Sequence, residues 1–87
     1  MNYKIFIEKS AQRSLAKIPQ PYQDRLVEVI RKLGRNPRPM SVRKLSGRNA
    51  WRIRVGNYRV IYEIDDDQLK VLIIVVGHRR EVYRIRR

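Results

Sequence analysis

Strict alternation of apolar and polar residues dominates the second half of the chain. WRIRV (51–55) and YRVIYEI (58–64) flank Gly56–Asn57, a pair able to supply the positive φ of a two-residue hairpin turn. That turn fixes the register, because residues directly opposite share a face. Val55 then meets Tyr58, Ile53 meets Val60, and Trp51 meets Tyr62, so one face of the hairpin is apolar. The other face carries Arg54 opposite Arg59 and Arg52 opposite Ile61. Next comes Lys70–Val76, apolar at nearly every position, the pattern of a central strand covered on both faces. The connection Asp65-Asp66-Asp67-Gln68 reads as a turn at Asp66–Asp67, which sets Glu63 opposite Lys70. The hairpin therefore lies inside the sheet, and its charged face is not wholly exposed. The last strand ends at Gly77.

The first half switches to helical spacing. Tyr3–Glu8 alternates weakly and reads as a short first strand. Ser10 is a good N-cap for a helix with Ala11, Leu15 and Ile18 on one face and Lys9, Arg13 and Lys17 on the other; Pro19 stops it. Pro21 suits the first position of a second helix, with Asp24 in its first turn. The apolar stripe of this helix is Tyr22, Leu26, Val29, Ile30 and Leu33, supported by a Glu28–Lys32 pair and closed by Gly34 as C-cap. So short a connection makes the two helices a hairpin. Asn36–Ala50 has two prolines, one glycine and no lasting period, and reads as a loop with a short strand at Val42–Leu45. The layout is β-αα-β-β-β, a single two-layer α+β domain over residues 1–87.

Charge changes this picture most. Twenty-one Lys and Arg, most of them Arg, stand against eight Asp and Glu, for a formal net charge of +13. A domain this basic is expected to meet a polyanion, and arginine favours phosphate. From Arg35 to Arg59 there are eight basic residues and no acidic one, so one side of the molecule is strongly positive. Arginines directly opposite one another repel, and stability alone does not select for them; Arg52, Arg54 and Arg59 on one sheet face read as an anion site.

Candidate chemistry narrows quickly. There is no cysteine and only one histidine, which removes thiol nucleophiles, thiolate metal sites and two-histidine cleavage of RNA. No Gly-rich phosphate loop or serine elbow is present. Asp65–Asp67 belongs to a turn rather than to a cation site, and no cofactor or metal is expected. Arg52, Arg54, Arg59 and Arg79 are suited to grip a phosphate and stabilise the extra charge of its transition state. An arginine is no base at neutral pH, its pKa lying above ~12, so the proton acceptor is another group: Tyr83, His78 or Glu63. The start, MNYKIFIEKS, does not read as a signal peptide, and no apolar run is long enough to span a membrane; a cytoplasmic protein with no membrane partner is expected.

WRIRVGNYRVIYEIDDD followed by VGHRREVYR, with KLSG ahead of the hairpin, resembles the RelE-like branch of the RelE/ParE toxin superfamily, over essentially the whole chain. The resemblance implies an antiparallel sheet with the first strand beside the last and two helices against one face. It implies a type II toxin, held inactive by a RelB-like antitoxin, that enters the ribosomal A site and cuts mRNA there without a metal. The 2′-hydroxyl attacks the adjacent phosphate, leaving a cyclic phosphate and a 5′-hydroxyl. The family's active-site positions fall on Arg52, Arg54, Arg59, Arg79 and Tyr83, with His78 a further acid–base candidate. Lys44, Arg48, Arg80 and Arg84 are candidate RNA contacts, and ribosomal RNA is a partner beside mRNA. Operator DNA is expected only through the antitoxin complex.

The match departs from the family pattern in two respects. Well-studied members carry lysine where Arg52 and Arg54 stand, and an arginine holds charge without exchanging a proton. The spacing between Arg79 and Tyr83 is shorter than in those members, so Arg80 competes for the role of Arg79. Two other readings compete with RNA cleavage: a ParE-like toxin that inhibits gyrase, and a basic nucleic-acid-binding domain without catalysis.

Overall fold

One tight turn and the alternation around it organise the sheet. In the computed structural model, which describes residues 2–78, strands β3 (Trp51–Val55) and β4 (Tyr58–Asp65) pair antiparallel. Their register is the one the alternation predicts: Trp51↔Tyr62, Arg52↔Ile61, Ile53↔Val60, Arg54↔Arg59 and Val55↔Tyr58. Gly56 supplies the positive φ, +61°, as the first central residue of a hairpin turn whose twist matches the flanking strands. Strand β5 (Lys70–His78) pairs antiparallel with β4 on its other side, and β2 (Arg43–Lys44) adds to the outer side of β3. The order is β1-β5-β4-β3-β2, with β1 being Lys4–Ile7.

Strand β1 lies beside the last described strand, as expected, but runs parallel to it, Lys4↔Lys70 through Ile7↔Ile73. The sheet is therefore mixed and not wholly antiparallel. Alternation reports which face a residue takes and says nothing of strand direction. Only a tight turn forces antiparallel pairing, and β1 is joined to its neighbour through two helices and three further strands. The second hairpin also differs from its expected register. Asp65, not Glu63, sits opposite Lys70, and Glu63 faces Leu72. The turn takes four residues because the Asp65 carboxylate accepts the Gln68 backbone N–H at 3.0 Å and Leu69 adopts φ +55°. An irregularity between Ile61 and Tyr62 gives β5 one extra residue, so Ile73 and Val76 both face the helices although they are three apart.

Helix α1 (Lys9–Lys17) begins ahead of Ser10, with Glu8 as its N-cap and no side-chain cap. Helix α2 (Tyr22–Leu33) follows Pro21 and ends on Gly34. Gly34 is right-handed there, φ −66°, so the usual left-handed cap is not what requires glycine. Close approach is: the Tyr3 N–H donates to the Gly34 carbonyl at 2.6 Å, and a Cβ on Gly34 would lie 3.0 Å from the Tyr3 carbonyl oxygen. Glu28 pairs with Arg31, at 3.7 Å between two exposed groups, rather than with Lys32.

Leu26, Ile30 and Leu33 of α2 and Ala11 of α1 pack with Ile18 against Ile53, Val60, Tyr62, Ile64, Val71, Ile73 and Val76. On the other face of the sheet Ala50, Ile61 and Val75 form a smaller cluster with Leu45 and Ile74. The loop ahead of β2 is tied down by polar contacts. Buried Tyr62 donates its hydroxyl to the Pro37 carbonyl at 2.7 Å. Arg38 grips both oxygens of Asp66 at 3.1 and 2.9 Å, and the Tyr3 hydroxyl donates to the same carboxylate at 2.7 Å.

These contacts hold the Asp66 carboxyl at about 2, Arg38 first and Tyr3 second among the causes. A depressed carboxyl contributes stability above its unfolded pKa, and that contribution is lost as pH falls through the folded one. Urea unfolding of the wild type and Asp66→Asn is expected to differ at neutral pH and to converge between the ordinary value of 3.8 and about 2. The check is the midpoint difference measured across that range; a difference that stays constant would mean the carboxylate adds nothing.

Candidate nucleic-acid interface

Alternation in β3 sends Ile53 toward the helices and Arg52 and Arg54 to the opposite face. Across β4 the partner of Arg54 is Arg59, and across β2 the partner of Arg52 is Arg43. Four arginines thus meet on three adjacent strands, in two directly opposed pairs. Arg54 and Arg43 are exposed and Arg52 is half-buried, whereas Arg59 is only 5% exposed. Its strand neighbour on β5 is Gly77, which has no side chain to fill the face there. Like charges in register disfavour folding, and removing a guanidinium from water is unfavourable as well.

Beside these arginines Ser41, Arg43, Arg52 and Arg54 line a cleft of about 250 Å³. Among the described residues, every side chain lining it is a hydrogen-bond donor and none is acidic. Arg43 was absent from the sequence-based set. Residues 43 and 45 share a face, and Leu45 packs in the small cluster with Ile61. No two-residue turn fixes the pairing of this short strand, so the sequence carries only the alternation Val42-Arg43-Lys44-Leu45 as a signal.

Lys44 takes the other face of β2. It stands opposite Trp51, with its ammonium 5.8 Å from the indole centroid, while Arg38 lies 5.2 Å from the same ring. Arg48 is exposed in the turn between β2 and β3. His78 is exposed at the end of β5, opposite Tyr58, and its ring meets the Tyr58 ring edge-on at 5.8 Å. Tyr58 belongs to the helix side of the sheet, where it also packs on Tyr22 at 5.7 Å, so His78 and Arg59 lie on opposite faces. Arg79, Arg80, Tyr83 and Arg84 lie outside the described residues. Burial pushes the Tyr62 hydroxyl up to about 12, so that phenol stays protonated at neutral pH. Glu63 is on the arginine side, four residues from Arg59, or about 13 Å along a strand.

Comparison with known proteins bears on this arrangement. Residues 5–83 match the family model described as the ParE toxin of type II toxin–antitoxin systems, parDE. The chain belongs to the RelE/ParE toxin superfamily. It is 35% identical to Toxin RelG of Mycobacterium tuberculosis (strain ATCC 25618 / H37Rv), over 97% of this chain and 99% of that one. The RelBE2 toxin–antitoxin complex of M. tuberculosis contains a chain that superposes with a TM-score of 0.80 at 30% identity, covering 91% of this chain and 100% of that one. The RelE–RelB complex of Pyrococcus horikoshii OT3 gives 0.81 at 29% identity, covering 91% and 97%. This RelE-like toxin therefore has the α+β fold of those structures, two helices on a five-stranded mixed sheet, with Arg43, Arg52, Arg54 and Arg59 on the side away from the helices. Among its described residues no helix is long and apolar enough to cross a membrane.

Proposed function

We propose that this toxin is a ribosome-dependent endoribonuclease that cuts mRNA in the A site. The observation that carries the reading is the opposed arginine pairs on the sheet face away from the helices, with Arg59 withdrawn from solvent. In the reaction the 2′-oxygen forms a bond to the neighbouring phosphorus and the bond from phosphorus to the 5′-oxygen breaks. The 2′-hydroxyl gives its proton to a base, and the departing 5′-oxygen takes one up. The phosphorane-like transition state carries more negative charge than the diester, and donors fixed in a low-dielectric site stabilise that increment. Arg59 meets this charge, Arg52 and Arg54 hold the backbone, and Arg79 serves the leaving-group side. Tyr83 transfers a proton or stacks on a base, whereas His78, across the sheet from Arg59 and beside Tyr58, is not placed for proton transfer. Lys44, Arg48, Arg80 and Arg84 contact RNA around the reacting nucleotides. The chemistry requires no metal.

The partners follow from charge and likeness. Similar chains from M. tuberculosis and P. horikoshii form complexes with RelB-type antitoxins, and a net charge of +13 calls for an acidic antitoxin segment over the positive face. Ribosomal RNA and mRNA are the cytoplasmic targets, and operator DNA is reached through the antitoxin complex. The matched family model bears the ParE name, which favours a second reading, inhibition of gyrase without RNA cleavage. Induction without antitoxin, with mapping of RNA 5′ ends and of DNA breaks, separates the two. Codon-phased cuts in translated messages are expected. DNA breaks with intact messages would establish the second reading and overturn the first.

A further inference from the structure

We propose that Arg43 binds an RNA phosphate neighbouring the reacting one, making the Ser41–Arg43–Arg52–Arg54 cleft a second backbone subsite. The identity of the ligand as RNA rests on the reading above; the existence of the subsite rests on geometry. Among the described residues, three guanidinium groups and one hydroxyl line about 250 Å³, a donor-rich set that answers an anion with several acceptor oxygens. The strip from Arg59 through Arg54 and Arg52 to Arg43 crosses three strands. Strand spacing is about 4.8 Å, and same-face residues along a strand stand about 6.7 Å apart. A strip of that extent suits a chain of phosphates better than a single carboxylate.

Arg43 occupies a two-residue edge strand, whose own pairing is too short to position it. Contacts on either side do so instead. Pro37 is held by the Tyr62 hydroxyl and Arg38 by Asp66; Lys44 lies over Trp51; and the Leu45 N–H donates to the Ala50 carbonyl at 2.9 Å. The strand is thus anchored before and after Arg43, while Arg43 itself faces the like charge of Arg52.

The test uses the full chain and a fluorescent single-stranded RNA decamer with 2′-O-methyl riboses, which binds without being cut. Affinity is read by anisotropy over a range of salt concentrations, with cleavage on programmed ribosomes measured in parallel. Arg43→Ala is expected to raise Kd about fivefold at low salt and to lower the salt slope by about 0.7, the loss of one phosphate contact on a single strand. Arg43→Lys is expected to keep the wild-type slope. On ribosomes KM should rise with kcat unchanged, and thermal unfolding should match wild type because Arg43 is exposed. An Arg43→Ala protein with wild-type Kd and slope, a Kd change without a slope change, or a wild type that does not bind the decamer would overturn the subsite. A wild type that never cuts mRNA, while Arg43→Ala still loses slope, would overturn the nuclease reading and leave the subsite standing.

Discussion

Arg59→Ala is expected to lower the single-turnover rate of mRNA cleavage on ribosomes by a factor on the order of 10²–10³, the effect of losing one preorganised donor at a developing charge. Burial is why this arginine outweighs its neighbours. Arg54 and Arg43 work at the solvent boundary, where water screens their charge, while Arg59 is 5% exposed and its field reaches a bound phosphate through protein. The loss should appear in kcat, since Arg52 and Arg54 still hold the RNA. Arg59→Lys should recover only part of it, because an ammonium keeps the charge and loses the planar fork. Because Arg59 is buried, thermal unfolding of the variant is measured beside its activity, and Arg59→Lys serves as the variant that keeps the charge and most of the volume. A rate within twofold of wild type in a folded Arg59→Ala protein would remove Arg59 from the mechanism.

The second large effect is on stability. Leu26→Ala is expected to destabilise the fold by about 2–5 kcal/mol and to lower Tm by at least about 10 °C. Leu26 is fully buried at the centre of the α2 stripe, within the cluster that joins both helices to the sheet. That cluster is most of what a domain of this size can bury. Lys32→Ala, on the exposed side of the same helix, should change stability by no more than about 0.5 kcal/mol. Because Leu26 and the arginines lie on opposite sides of the sheet, the Leu26→Ala protein should cut mRNA at the wild-type rate below its Tm. Chemical denaturation of both variants, with cleavage assayed at low temperature, checks this. Equal midpoints for Leu26→Ala and wild type would contradict the assignment of the core.

The parts of the fold legible in the sequence are those that local chemistry fixes. Gly56–Asn57 sets a turn of known length, and from it the whole β3–β4 register follows, including Arg54 opposite Arg59. The α2 stripe is legible for the same kind of reason, since its spacing admits one face. The β4–β5 register was not, because an Asp65 side-chain bond lengthened the turn and moved Lys70 from Glu63 to Asp65. The direction of β1 was hidden because no short turn joins it to β5. Arg43 was missed because a two-residue strand takes its pairing from distant anchors such as Arg38–Asp66. The face taken by His78 depends on strand parity at the end of β5, which the sequence alone did not determine. Burial of Arg59 was foreshadowed by the apolar run of β5, whereas its degree depends on how the sheet closes around Gly77.

The most direct measurement of the central claim is made on purified ribosomes carrying a defined mRNA with a known codon in the A site. The toxin is added in EDTA-chelated buffer with the ribosome's own magnesium restored, and the ends of the message are sequenced and chemically typed. A cut within the A-site codon, leaving a 2′,3′-cyclic phosphate upstream and a 5′-hydroxyl downstream, is the predicted result. An intact message under conditions where the same preparation arrests growth in cells would contradict it.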